Sequence, residues 1–171
     1  IYILLSVFLF ACDNSPDAQR LREVQVNAAD KSLNSNAERV SIIDGLTVVE
    51  ITANDRMKYN LESFTVHKGQ LVKLTLVNIG KLSKLSMGHN LVFLQAGTDV
   101  NEFASAAASA RDTDYIPTQF KSQIIASTKL LGPGERDTIE FYAPNEPGEY
   151  IYLCSFPAHM YAGMRGIMTV E

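Results

Sequence analysis

Residues 148–170 read GEYIYLCSFPAHMYAGMRGIMTV. The two ends of this segment, residues 148–153 and 166–170, alternate or run apolar, which is typical of short β-strands. The loop between them, from Cys154 to Met164, contains a thiol, an imidazole and a thioether. Because the strands on either side are expected to run antiparallel, the loop can turn all three side chains toward one point. The segment therefore predicts a β-rich fold with a sulfur and nitrogen site at one end of its strands.

Short strands separated by turn signals fill the chain after residue 44. Apolar or alternating stretches lie at residues 46–52, 64–66, 71–77, 90–94, 121–131, 137–142, 148–153 and 166–170. Seven or eight such strands in about 125 residues predict an all-β fold, a Greek-key β-sandwich. One helix-prone stretch, NEFASAAASA at residues 101–110, predicts a single helical insertion.

The composition excludes several classes of protein. With 171 residues, of which 46% are hydrophobic and 20% charged, the chain is long enough for one globular domain with a tail. A net charge of −4 disfavours nucleic acid as a partner, because proteins that bind it are usually basic. Two cysteines and three histidines are too few for a disulfide scaffold or a cluster of several metal ions.

The first residues are typical of an export signal. Residues 1–11, IYILLSVFLFA, are apolar but too short to cross a bilayer, and Cys12 follows directly. The end of this run resembles a bacterial lipobox, in which cleavage leaves the cysteine as a lipid-modified first residue. We interpret residues 1–12 as such a signal, with its true start missing. The alternatives are a simple export signal and an apolar strand with a buried cysteine.

Residues 13–43 predict a flexible tether between this signal and a domain at 44–171. They are rich in Asn, Ser, Asp, Ala and Gln, and their apolar periodicity is weak. A short helix packed on the domain is the alternative. The expected location is the periplasm or cell envelope, with the membrane contacted only through a lipid anchor at Cys12.

Four side chains form the candidate metal site. Cys154, His159 and Met164 come from the loop, and His89 precedes the predicted strand 90–94. A thiolate, two imidazoles and a weak axial thioether are the donor set that suits blue copper. Each residue alone is more often an ordinary core or polar residue, but the whole set in this spacing favours one copper ion. His67 lies in a turn and is interpreted as a surface histidine.

Four motifs carry a family resemblance. They are Asn54-Asp-Arg-Met57, Met87-Gly-His-Asn90, Thr128-Lys-Leu-Leu-Gly-Pro-Gly-Glu135 and Cys154-Ser-Phe-Pro-Ala-His159. With these motifs, residues from about 54 to 171 resemble the azurins, blue copper proteins with the cupredoxin fold. The resemblance implies one type 1 copper per chain. The implied equatorial ligands are His89, Cys154 and His159, with Met164 axial and the Gly88 carbonyl opposite to it.

The resemblance also implies hydrogen bonds around these ligands. Asn90 would tie the two ligand loops together, and the N–H groups of Asn90 and Phe156 would donate to the Cys154 sulfur. The chain departs from the azurin pattern in one spacing, because four residues rather than three separate His159 from Met164. That departure bears on the distance between the axial sulfur and the metal.

The expected function is one-electron transfer outside the cytoplasm by Cu(II)/Cu(I) cycling, without enzymatic turnover. The loop from Cys154 to Met164 contains no Asp or Glu that could act as the base of a zinc enzyme. Two alternatives remain open at this point: a copper-binding or copper-delivery lipoprotein, and a sandwich that holds no metal.

Redox proteins are the expected partners, docking on a weakly polar face around the edge of His159. By resemblance, this face includes Leu82, Met87, Phe156, Pro157 and Ala158, with Met160 and Tyr161 joining it through the longer loop. The alternative is that Met87 and Met160 pack inward and support the loops.

Overall fold

The computed structural model describes residues 39–43 and 45–171, which form two facing β-sheets. The strands are β1 (Val40–Ile43), β2 (Leu46–Asn54), β3 (Lys58–Tyr59), β4 (Ser63–Val66), β5 (Leu71–Asn78), β6 (Val92–Leu94), β7 (Ile124–Ser127), β8 (Arg136–Tyr142), β9 (Gly148–Leu153) and β10 (Arg165–Val170). The helices are α1 (Lys84–Met87) and α2 (Val100–Ala108), with 3-10 turns at Arg111–Thr113 and Thr118–Gln123.

The strand order confirms the predicted sandwich. The first sheet runs β1-β2-β5-β8, with β3 paired to the end of β2, and the second runs β4-β10-β9-β6-β7. Two pairs, β2 with β5 and β4 with β10, are parallel, and the other pairs are antiparallel. Because the chain passes back and forth between the two sheets and places strands that are distant in sequence side by side, the topology is that of a Greek-key sandwich.

The core lies between the two sheets. In β5, every second residue is buried, and Val72, Leu74 and Leu76 point inward. Burying such a side chain contributes about 1.5–3 kcal/mol relative to leaving it in water. The opposing sheet contributes aromatic rings, and those of Phe93 and Tyr152 lie 5.4 Å apart. The alternation of apolar and polar residues in the sequence therefore identifies the side chains that pack between the two sheets.

Gly166 in β10 is required by close packing. A Cβ atom at this position would collide with the ring of Tyr152 and would lie 2.6 Å from the carbonyl of Glu62. Tyr152 is fully buried, and its hydroxyl donates to the carbonyl of Leu61 at 2.6 Å. The glycine thus lets a large side chain lie across the strand that follows the candidate site.

The helical insertion is confirmed, whereas the strand predicted at 121–131 is largely wrong. The Asp99 side chain caps α2 by accepting from the N–H groups of Asn101 and Glu102. Residues 118–123 form a 3-10 helix, so only 124–127 pair as β7. At Thr128 the pairing ends in a side-chain bond: its N–H donates to the Leu91 carbonyl, but its hydroxyl accepts from the Leu91 N–H.

The predicted boundary between tether and domain is also wrong at its last residues. Val40–Ile43 form strand β1, which pairs antiparallel with β2. The rest of the predicted tether and the predicted signal at 1–12, including Cys12, lie outside the described residues. Among the described residues, no helix is long and apolar enough to span a bilayer.

Candidate metal centre

Three of the predicted ligands meet at one end of the sandwich. His89 follows α1 and forms an isolated backbone bridge with Leu131, and Cys154 comes directly after β9. The Sγ atom of Cys154 lies 4.0 Å from Nδ1 of His89 and 3.4 Å from Nδ1 of His159. Possible ligand atoms of the three residues all lie within 4.8 Å of one another. One ion can therefore contact all three side chains.

The loop brings Met164 back to the same place. Its N–H donates to the carbonyl of His159 at 3.0 Å, and its carbonyl accepts from the N–H of Cys154 at 3.1 Å. Two tight turns take up the intervening residues: Ala162 N–H donates to Ala158, and Gly163 N–H donates to Met160. The side chain of Met164 is fully buried. The longer spacing is thus absorbed within the loop, and the thioether stays in the protein interior.

Asn90 ties the two ligand loops together, as the sequence predicts. Its side-chain oxygen accepts from the N–H of Ser155 at 2.9 Å, and its amide nitrogen donates to the Ser155 hydroxyl at 2.7 Å. The same amide nitrogen donates to the carbonyl of Asp114 at 3.2 Å. Asn90 follows His89, and Ser155 follows Cys154. This pair of hydrogen bonds therefore fixes the position of the His89 backbone relative to that of Cys154.

Gly88 lies in tight packing next to His89. A Cβ atom there would lie 2.7 Å from the carbonyl of Lys84 and 3.0 Å from the side chain of Leu130. A side chain would therefore push α1 away from the ligand loop. The role of the Gly88 carbonyl as an axial contact stays a prediction.

Burial sets the protonation states of the site. It lowers the pKa of His89 from 6.5 to about 4, and burial together with the neighbouring His89 lowers that of His159 to about 4. Burial raises the pKa of the Cys154 thiol to about 12, although backbone donors at Asn90 and Phe156 and the Tyr59 hydroxyl oppose this shift. At neutral pH the metal-free site thus holds a thiol and two neutral imidazoles.

These residues fit a soft metal ion. His89 Nε2 is buried and lacks a partner of normal hydrogen-bond geometry among the described residues, and the Asn54 backbone is the acceptor that faces it. A proton on Nε2 leaves the Nδ1 lone pair free toward the Cys154 sulfur. Sulfur and imidazole donors without a carboxylate favour copper over the harder cations.

The comparison with protein families agrees with this donor set. Residues 45–171 match the family described as copper binding proteins, plastocyanin/azurin family. The chain belongs to this family. His89, Cys154, His159 and Met164 of this cupredoxin accordingly form a type 1 copper site.

Several relatives share most of the cupredoxin domain. Azurin of Pseudomonas aeruginosa is 36% identical over 126 residues, which cover 72% of this chain and 84% of that protein. Outer membrane protein H.8 of Neisseria meningitidis is 34% identical over 128 residues, covering 74% of this chain and 68% of that protein. The crystal structure of dithionite-reduced auracyanin from Roseiflexus castenholzii aligns with a TM-score of 0.65 and 37% identity, covering 75% of this chain and 98% of that one.

The surface around the site differs in part from the sequence expectation. Leu82 and Tyr161 are exposed, but Phe156 and Met160 are buried. Met160 packs in a second apolar cluster with Phe103 of α2, because the longer loop turns it inward. The expectation that Met160 joins the docking face is therefore wrong.

Two residues at the site were missed by sequence reasoning. Leu85 is 78% exposed on α1, and Tyr59 is buried beside the Cys154 thiol. Tyr59 comes two residues after the quoted motif Asn54-Asp-Arg-Met57, so its position in the sequence offered a signal. Tyr59 was missed because β3 has only two residues, and so short a strand shows no alternation from which the direction of a side chain could be predicted.

Proposed function

We propose that this cupredoxin is an extracytoplasmic one-electron carrier with a single type 1 copper and no substrate turnover. The observation that carries the proposal is the convergence of two imidazole Nδ1 atoms on the Cys154 sulfur inside the protein. When bound, copper supplies a Cu(II)/Cu(I) couple that accepts or donates one electron.

The chain's own residues keep this site rigid and dry. His89, Cys154 and Met164 are fully buried, and His159 is 2% exposed. The loop hydrogen bonds and the Asn90–Ser155 pair fix the ligand backbone before any metal binds. A site that changes little between oxidation states suits electron transfer, whereas an enzyme needs an open ligand position for its substrate.

The docking face lies around His159, and its partner is another redox protein. Phe156 covers one side of the ligand, since the two ring centroids are 4.6 Å apart, and Tyr115 packs on Phe156 at 5.0 Å. Tyr115 and the exposed Leu85 line one shallow cleft with Leu130, and three charged residues complete its lining: Lys84, Arg111 and Asp114. Apolar side chains of this kind exclude water in a brief encounter without requiring many paired charges.

Copper loading and electron exchange test the function together. The purified protein should bind one copper, show a reversible one-electron wave in voltammetry, and exchange electrons rapidly between its own oxidised and reduced copies. A protein that binds copper tightly but exchanges electrons slowly would instead support a role in copper delivery. A protein that binds no copper would contradict the proposal.

The proposed location is the cell envelope, with the chain anchored through a lipid on Cys12. The apolar segment before Cys12 supports this, as does the similarity to outer membrane protein H.8 of Neisseria meningitidis. Expression from the complete gene, with the start of the signal in place, and with radiolabelled palmitate in a bacterial host tests it. Label should enter the wild type and be lost in Cys12→Ser, and an unlabelled wild type would contradict the anchor.

A further inference from the structure

Tyr59 is a buried tyrosine that the copper-binding residues do not explain. It ends β3, is 7% exposed, and packs its ring 5.8 Å from that of Tyr152. Its hydroxyl donates to the carbonyl of Asn90. Asn90 is the residue that joins the two ligand loops, so Tyr59 contacts the site at its connecting point.

The N–H groups of Asn90 and Phe156 face the sulfur of Cys154 as donors. The single hydrogen of the Tyr59 hydroxyl goes to the Asn90 carbonyl, so Tyr59 holds the backbone that carries one of these two donors. Tyr59 thus acts on the thiolate indirectly, through Asn90. Polar hydrogens aimed at a metal-bound thiolate withdraw electron density from the metal–sulfur bond.

We propose that Tyr59 is a positioning residue of the copper site, whose hydroxyl favours the reduced state by holding Asn90 so that its N–H stays aimed at the Cys154 sulfur. This inference rests on the proposed electron-carrier function. A thiolate with one donor fewer gives more electron density to the metal, which favours Cu(II). Loss of the hydroxyl should therefore lower the reduction potential.

A purely structural role for Tyr59 is the competing explanation, and Tyr152 provides the matched control. Tyr152 is also buried, and its hydroxyl likewise donates to a backbone carbonyl, that of Leu61 at 2.6 Å. Its carbonyl partner belongs to no ligand loop. Removing either hydroxyl leaves one buried carbonyl without a donor, so both changes should lower the unfolding temperature by similar amounts.

The experiment compares Tyr59→Phe with Tyr152→Phe in the copper-loaded protein. Copper stoichiometry, the visible charge-transfer band, the reduction potential and the unfolding temperature are measured for each. We expect both variants to bind one copper, but only Tyr59→Phe to show a lower potential and a shifted band. Equal potentials in the two variants would overturn the proposal and leave Tyr59 a structural residue.

A second change keeps the test decisive if Tyr59→Phe does not fold. A fluorinated tyrosine installed at position 59 keeps the shape of the side chain and makes its hydroxyl a stronger donor. The potential should then rise, whereas the same replacement at position 152 should leave it unchanged. An unchanged potential at position 59 would also overturn the proposal. Failure of the proposed function is distinguishable from both results, because it would appear in the wild type itself, as slow electron exchange or as no copper binding.

Discussion

The Sγ atom of Cys154 lies 3.4 Å from the Nδ1 atom of His159, five residues further along the same loop. That distance is set by the loop's own hydrogen bonds, in which Met164 bonds to the backbone of both residues. The donor atoms therefore converge without a metal, and metal binding requires chiefly that the thiol lose its proton. Several consequences can be measured.

The metal-free protein should lose stability in mild acid. Burial lowers the pKa of His89 and His159 from 6.5 to about 4, so between these values the unfolded chain binds more protons than the folded one. The free energy of unfolding is therefore highest above about pH 6.5. It declines toward pH 4, by up to about 3 kcal/mol for each imidazole. Urea unfolding of the metal-free protein near neutral pH and in mild acid measures the decline.

The exposed His67 provides the control for this prediction. The His67→Gln variant should show the same decline as the wild type, because that side chain lies outside the buried site. Equal stability of the wild type at both pH values would show that the two ligand histidines are not buried in neutral form.

Met164 should tune the site rather than hold the metal. A thioether is a weak axial donor that disfavours Cu(II), whereas an amide oxygen is a harder donor that favours it. Met164→Gln should keep copper and lower the reduction potential, and Met164→Leu, which adds no hard donor, should raise it. Voltammetry of both variants checks this. If neither change moves the potential, the longer loop has carried the thioether away from the metal.

Much of the site was predictable because its chemistry is local in sequence. The spacing of Cys154, His159 and Met164, together with Met87-Gly-His-Asn90, specifies the donor set that the structure brings together. The sequence left the direction of Met160 open between the docking face and the interior, since the choice depends on the cluster that α2 provides. Strand β1 escaped prediction for a similar reason: its last three residues are exposed, so it lacks the alternation of a half-buried strand.

Met160 should be important for stability although it binds no metal. It is 4% exposed and lies among apolar side chains that include Phe103 and Phe120. Met160→Ala should lower the free energy of unfolding by about 2–5 kcal/mol, because the cavity it leaves is only partly refilled. Tyr161→Phe, at the exposed next residue, is the matched control and should change stability by less than about 1 kcal/mol. Similar urea midpoints for the two variants would show that the loop does not depend on the second cluster.

The docking face can be tested without knowing the natural partner. Leu85→Glu places a carboxylate on the proposed face, and docking of two copies would then require removing water from that charge. Electron self-exchange, measured by NMR line broadening, should slow markedly while the visible spectrum stays unchanged. Tyr142→Glu on β8, where Tyr142 is 70% exposed, should leave the rate near that of the wild type. Equal rates in the two variants would place the electron exit elsewhere.

Cys154 should bind copper as a thiolate within a type 1 site. Titration of the purified protein with Cu(II), followed by visible spectroscopy, tests this directly when Cys154→Ser is titrated in parallel. The wild type should show an intense charge-transfer band that saturates at one copper per chain. Cys154→Ser should show no such band, although its circular dichroism should be that of the same β-sandwich. A variant with an equally intense band, or a wild type with none, would contradict the assignment of the copper site.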